Sequence, residues 1–368
     1  MTKARTNASA SPAVGRNMII NGAMNVAQRS ASVTGLGAAS GYFTVDRWQL
    51  TEGDATAGRL TMSQTADGPN GISANCLKLD CTTADTSIAA GEFLFIRQKI
   101  EGQNLQRIGK GVTGAKQITV SFYVKASAAF NFVVELNDND NGRQMSKLYA
   151  TTTDWVRHEL TFPADVDDGS SPFDDDNAHS LFLAFWLYAG TDHTSGTLET
   201  AFANTTNANR AAGISSFFSS TDNNFFITGV QMEVGPVATE FEQEDISTTL
   251  EKCKRYYRRI GNTGDASVFQ MLFSGFMGTA TRAYGSLMLS PSMRTQPTMG
   301  TTGTATHYAI MNENANTACS AVPVLDGQTS EQTVFIIQDT GTDLTVGQGV
   351  QVRGNSNVTA HIAFDAEL

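Results

Sequence analysis

The sequence predicts an all-β protein: a jelly-roll-like antiparallel β-sandwich, a short linking α-helix, and a smaller C-terminal antiparallel β domain. Three observations predict it. Apolar residues recur with period two, or in short runs, from Asn17 to about Glu244, with hardly any helical periodicity. Turn-forming clusters punctuate these runs: Asp67-Gly68-Pro69-Asn70-Gly71, Glu101-Gly102, Asp138-Asn139-Asp140-Asn141-Gly142 and Asp167-Asp168-Gly169. The composition sets 40% hydrophobic residues against only 17% charged ones, with 33 Gly and 8 Pro, which suits a loop-rich globular chain and excludes a disordered one.

The first segment, 1–16, is Ala/Ser-rich and basic, with Lys3, Arg5 and Arg16. The apolar run after it, Met18-Ile19-Ile20, is too short for a signal core or a bilayer span, so the expectation is cytoplasmic synthesis without membrane insertion. Strands are expected at 76–81, 93–100, 117–125, 131–136, 155–162, 180–188 and 224–233. In 117–125 the even positions are Ile118, Val120, Phe122 and Val124, while Gln117, Thr119, Ser121, Tyr123 and Lys125 take the other face, as in a half-buried sandwich strand. The stretch 190–220, rich in Thr, Asn, Ala and Ser, is too long for an ordinary connection and reads as a functional or partner-ordered loop.

One amphipathic helix is expected after the sandwich. Ile246, Leu250, Cys253 and Tyr257 stand at offsets 0, 4, 7 and 11 and form one apolar stripe, the candidate oligomerisation surface. Asp245 or Ser247 can cap its start, Thr248 with Glu251 fits a capping box, and Gly261 can stop it. Lys252, Lys254, Arg255, Arg258 and Arg259 crowd its end, where cations favour the helix dipole and intersubunit ion pairs. Beyond it the chain has no Lys and no Trp, with strands expected at 267–276, 279–289, 304–310, 333–337 and 357–364. This second β domain is expected to leave an oligomer contact on one apolar face. The partition is 1–16 arm, 17–244 sandwich, 245–260 helix and 261–368 C-terminal domain.

Chemistry is sparse. With 25 Lys+Arg against 36 Asp+Glu the net charge is −11, which argues against nucleic acid as a partner. Cys76, Cys81, Cys253 and Cys319 lack CxxC spacing and read as reduced core residues; the five histidines show neither HxH nor HExxH. Gly109-Lys110-Gly111-Val112-Thr113-Gly114 matches GxGxxG but leads into a strand, so it reads as a loop. Asn137–Gly142 imitates half of a calcium loop, yet Leu148 stands where the closing carboxylate belongs, and Asp174-Asp175-Asp176 reads as solvated. No cofactor is expected, structural calcium lacking a complete motif. No GxSxG elbow, phosphate loop or selected carboxylate pair points to catalysis, and the expectation is a non-enzyme. Of three tryptophans, Trp48 and Trp186 sit in apolar settings and read as core, whereas Trp155 follows Thr151-Thr152-Thr153-Asp154 and is the candidate sugar-stacking ring; Tyr188 is a second carbohydrate-binding candidate.

Several phrases then converge: Asn17-Met18-Ile19-Ile20-Asn21-Gly22, Val26-Ala27-Gln28-Arg29, Thr44-Val45-Asp46-Arg47-Trp48, Val120 through Ala126, Ile227-Thr228-Gly229-Val230-Gln231-Met232-Glu233-Val234-Gly235, Ala238 through Glu242 and Cys253-Lys254-Arg255-Tyr256-Tyr257. The succession resembles a family of bacteriophage virion proteins, tail-fibre-like or capsid-fibre-like, abundant in phages of aquatic bacteria, whose main domain looks like a carbohydrate-binding module. It covers roughly 17–259 and, more weakly, 293–298 and 363–368. The acidic residue often found after this Asn-Gly is missing from Asn21-Gly22-Ala23-Met24-Asn25, which weakens a carried-over calcium site. The resemblance implies a virion appendage made in the host cytoplasm, a homotrimer with three copies of the helical stripe near its axis, anchored to other virion proteins by the 1–16 arm, and attached to host cell-surface glycan. A purely structural capsid fibre or decoration protein, and a polysaccharide depolymerase, are the alternatives.

Overall fold

The computed structural model describes residues 15–54, 56–166, 172–261, 269–313 and 315–368. Positions 1–14 of the arm, and the Asp167-Asp168-Gly169 turn, lie outside the described residues. Two compact units divide at Ile246/Ser247.

Among the described residues the first unit carries thirteen strands: β1 (Ser32–Leu36), β2 (Gly41–Tyr42), β3 (Gln49–Gly53), β4 (Arg59–Thr65), β5 (Cys76–Thr83), β6 (Phe93–Glu101), β7 (Ile118–Ala126), β8 (Asn131–Asp138), β9 (Arg143–Ala150), β10 (Val156–Phe162), β11 (His179–Ala189), β12 (Ala203–Asn204) and β13 (Asn224–Val234). They form an antiparallel sheet of order β1-β4-β5-β13-β7-β10 and another of order β12-β9-β8-β11-β6-β3-β2. Side chains alternate across each strand, so β7 sends Ile118, Val120, Phe122 and Val124 inward, where they meet Phe132, Leu183, Phe185 and Trp48 in one core. Phe122 meets Phe185 edge-on at 4.9 Å, the ring geometry that quadrupoles favour.

The glycine-rich 109–114 segment is a loop with Gly109, Gly111 and Gly114 all at positive φ. It places Lys110 in the interior, where Nζ meets Asp138 Oδ2 at 2.8 Å and Asp165 Oδ2 at 3.7 Å. Arg143 closes the network with Nε and a terminal nitrogen 2.8 and 2.9 Å from Asp165. Asp138, fully buried, also accepts the amides of Asp140 and Asn141, so the Asn137–Gly142 segment is a capped turn.

The 190–220 stretch has packing of its own. It holds a one-turn helix Thr191–Thr194 and strand β12, and Ala211 joins Phe95, Val133, Phe182, Ala184 and Trp186 on the outer side of the seven-stranded sheet. Phe217 and Phe218 enter the main core.

In the second unit a helix, Ile246–Lys254, crosses the boundary and is followed by β14 (Tyr257–Gly261), β15 (Met271–Thr279), β16 (Arg282–Met288), β17 (Thr298–Thr301), β18 (Tyr308–Asn312), β19 (Ala315–Ala318), β20 (Val324–Leu325), β21 (Thr333–Asp339), β22 (Gly349–Gly354) and β23 (His361–Asp365). Sheets of order β14-β23-β17 and β19-β18-β22-β15-β16-β21-β20 enclose Phe273, Tyr308, Ile336, Val352, Ile362 and Phe364.

The apolar stripe is thereby corrected. The helix stops at Lys254, and Tyr257 stands on β14, paired with Asp365 of β23. Cys253 and Tyr257 are buried in the chain's own fold, while Ile246 is 53% exposed and Leu250 half-buried. Arg258 and Arg259 belong to the strand, bonding Ser290 O and His361 Nδ1, and Gly261 ends that strand at φ +82°. The 3.6-residue period that set Tyr257 on the stripe fails because β23 offers this segment a full ladder of backbone partners. The four cysteines are free and buried, as their spacing suggested.

Candidate functional site

The outer face of the six-stranded sheet carries a row that only strand pairing could assemble. Phe226 of β13 lies opposite Lys78 of β5 on one side and Lys125 of β7 on the other. The β7–β10 register, in which Val124 faces Val156, sets Trp155 at the end of the row beside Lys125. Cation and ring therefore alternate: Lys78 Nζ lies 5.6 Å from the Phe226 centroid, and Lys125 Nζ lies 4.8 Å from Phe226 and 5.2 Å from Trp155. The two rings meet edge-to-face at 6.4 Å. One row further, Arg157 stands 5.9 Å from the ring of Tyr123.

Each polar member is oriented. Trp155 Nε1 donates to Asp67 O at 3.1 Å, and the Asp67 carboxylate accepts from Lys125 Nζ at 2.8 Å. Lys78 pairs with Asp80 at 3.0 Å and Arg157 with Glu159 at 2.6 Å. The three cations are thus balanced by three carboxylates, and the face is neutral. Half-buried rings held at fixed spacing, edged by donors and acceptors, suit a ligand with apolar C–H faces and many hydroxyls.

Tyr188 is not part of such a face. Its side chain is fully buried, and its hydroxyl donates to Glu92 Oε2 at 2.6 Å with Asp85 Oδ2 at 3.1 Å. Burial, and the hydrogen bond to Glu92, push its phenol far above the ordinary tyrosine value. A bulge between Trp186 and Tyr188 turns this residue inward at the strand end, and period two cannot foresee a bulge. Trp186 is fully buried, as expected, though on the outer side of its sheet: Nε1 donates to Glu135 Oε2 at 2.7 Å, Arg210 grips the same carboxylate at 2.9 and 3.0 Å, and its guanidinium lies 4.8 Å from the indole centroid.

Arg16 donates to Glu240 O at 2.7 Å and lies 3.8 Å from Glu233. Sequence reasoning singled out Trp155 and placed Tyr123 and Lys125 on the polar face of β7, but did not single out Phe226 and Lys78, which the structure sets beside them. Their alternation within β13 and β5 marked them as outward-facing; their adjacency needed the sheet order.

No family model matches the chain, and no curated protein matches it. Among solved structures it is distantly similar to the enzymatically active domain of bacteriophage CBA120 tailspike protein 4, at 11% identity and a TM-score of 0.32, over 60% of this chain but 21% of the tailspike chain. It is also similar to TmCBM61, solved with β-1,4-galactotriose, at 9% identity and 0.30, over 60% of this chain and 99% of that one. A family 22 carbohydrate-binding module of Clostridium thermocellum Xyn10B aligns at 14% identity and 0.29, over 62% and 100% of the two chains. At such identities and scores nothing about ligand or assembly passes from them to this chain.

Proposed function

We propose that this chain is a non-enzymatic phage virion appendage, a homotrimeric tail fibre or fibre-like protein, that attaches to host-surface glycan through the outer face of its six-stranded sheet. The Lys78–Phe226–Lys125–Trp155 row carries the reading: it sets two half-buried aromatic rings among ammonium and carboxylate groups that sugar hydroxyls can bond. The motif succession that resembles phage fibre proteins supports the virion setting. The non-enzymatic reading is supported by the carboxylates of this face, since Asp67, Asp80 and Glu159 are each held by a cation rather than set apart as acid and base.

The test is adsorption. Purified, labelled full-length protein is expected to saturate host cells and to lower phage adsorption, and Trp155→Ala is expected to weaken binding about tenfold with an unchanged far-UV spectrum. Well-folded protein that neither binds cells nor competes would overturn the adhesive reading. A purely structural fibre subunit would then stand, a role favoured by the lysines that already face both rings. Trimer formation is read from solution mass.

A further inference from the structure

The second unit carries a cavity of about 380 Å³ on the β15–β16–β21 sheet, at the low end of the range that small-molecule sites occupy. Its walls are aromatic. Phe276 and Tyr284 are cross-strand partners with ring centroids 6.2 Å apart, and Phe335 stands opposite Ser286 on the next strand. Phe276 is 54% and Phe335 38% exposed, while Phe273, Met277, Val334 and Ile336, one residue out of phase, are buried. The rings therefore rise on the face turned away from the core.

Between them the lining side chains are short and polar, Ser274 and Ser286, and the loop after β20 adds Asp326 and Gln328. Asp326 Oδ1 accepts its own turn's Gln328 amide at 3.1 Å, which leaves Oδ2 without a hydrogen-bond partner among the described residues. The Ser274 hydroxyl reaches only the thioether of Met271, at 3.8 Å.

These groups select a ligand class. An anion would find no counter-charge in the lining, which holds no lysine or arginine; on the same sheet Arg282 is taken by Asp339 at 2.7 and 3.1 Å, and Arg353 of β22 is turned to Asn316 and the Phe269 ring. An apolar side chain from a second copy would strand two hydroxyls, an amide and a carboxylate, at about 1–3 kcal/mol for each buried group left unpaired. A quaternary ammonium would suit the rings and Asp326 but gives the serine and glutamine donors nothing to bond. A neutral pyranose presents an apolar C–H face to the rings and hydroxyls that both donate and accept.

We propose that this cavity is a second saccharide-binding site, specific for a neutral sugar ring, with Phe276 and Tyr284 as the stacking wall and Asp326 and Gln328 as the hydroxyl partners. It does not rest on the Trp155 face. The test is saturation-transfer NMR on the full-length chain with methyl β-D-glucopyranoside, methyl β-D-galactopyranoside and methyl N-acetyl-β-D-glucosaminide. Transfer to the sugar C–H protons is expected in Trp155→Ala protein, and to fall about tenfold when Phe276→Ala or Asp326→Ala is added to that variant. Both side chains lie outside the core, so both variants should keep the parent melting temperature. Absence of transfer from all three glycosides in the Trp155→Ala protein overturns the proposal. So does transfer that persists in both cavity variants, displacement of the sugars by tetramethylammonium, or a Phe276→Ala protein whose solution mass changes while its sugar signal does not. Tryptophan fluorescence keeps the two sites apart, because the second unit has no tryptophan: quenching reports the sandwich face, and saturation transfer without quenching reports this one.

Discussion

Replacing Lys110 by methionine keeps the length of the buried stem and removes its ammonium from the network with Asp138, Asp165 and Arg143. Lys110 is 5% exposed and Asp138 not at all, so water cannot stand in for the missing charge. Asp138 would keep the amides of Asp140 and Asn141 but lose the partner 2.8 Å away. Breaking a buried pair from one side costs about 3–5 kcal/mol, and at about 2–4 °C per kcal/mol in a domain of this size the melting temperature should fall by about 6–20 °C. All three tryptophans, Trp48, Trp155 and Trp186, lie in the first unit, so fluorescence-detected urea unfolding reads that unit alone. Adding Asp138→Asn keeps a turn acceptor and removes the orphaned charge; the double variant should recover at least half of the loss. A Lys110→Met protein destabilised by less than about 1 kcal/mol, or a double variant whose losses simply add, would refute the assignment of this network as a coupled unit.

Three further outcomes follow from buried groups. Tyr188→Phe, which deprives Glu92 and Asp85 of a donor, should cost about 1–3 kcal/mol in the same urea assay while leaving cell binding unchanged; a binding loss without a stability loss would return Tyr188 to the ligand site. Burial pushes Cys81 up to about 11 and Cys319 up to about 12, and burial also raises Cys76, so a thiol reagent at neutral pH should find no fast-reacting cysteine until denaturant exposes all four. Burial holds His158, His193 and His361 below the ordinary value of 6.5, so as pH falls through that value the unfolded chain takes up protons before the folded one does. Stability is therefore full above that value and is lost as pH drops toward the folded values; a melting temperature that rises between pH 7 and pH 5 would contradict the assignment.

The strands that sequence periodicity marks are those whose inward faces are uniformly large. Segments 76–81, 93–100, 131–136, 180–188 and 224–233 all become strands with one or both ends extended by one or two residues, 117–125 shifts by one to Ile118–Ala126, and 155–162 becomes Val156–Phe162. The strands left unmarked have other reasons for existing. β9 alternates, but its inward set is Arg143, Met145, Lys147 and Tyr149, whose cations hide the pattern until Asp165 and the Phe162 ring give them partners. β14 was masked by helical spacing, and β17, Thr298–Thr301, is held by its pairing with β23 rather than by apolar content. Of the candidate site, Trp155 was legible because it follows a polar run. Phe226 was legible as outward and aromatic, but nothing in the sequence says that its neighbours across the sheet are two lysines.

The motifs behind the resemblance occupy a different place from the exposed row, and the difference is physical. Asn17 donates to Val230 O and accepts from Met232 N, which straps the start of the sandwich to β13. Asn21, at φ +58°, uses its side chain to bond Val26 O and Asp46 O and to accept the amides of Asn25 and Val26, while its own carbonyl takes the Trp48 indole. Gly22 is required because a Cβ there would stand 2.1 Å from Val230 O. Glu233 and Glu242 complete the strap by accepting from Thr239 and from the amides of Gly15 and Asn17. Side chains so fully engaged in laying the chain into its sheets have no bond left for a ligand. Of the row that faces outward, only Lys125 falls within a motif. A likeness built on the strap therefore speaks to how the sandwich is assembled, and two proteins could share every one of these bonds while presenting different rings and charges at Lys78, Phe226 and Trp155. Residues at those positions are free to change because their exchange alters a surface row and leaves the buried bonds that hold the fold in place.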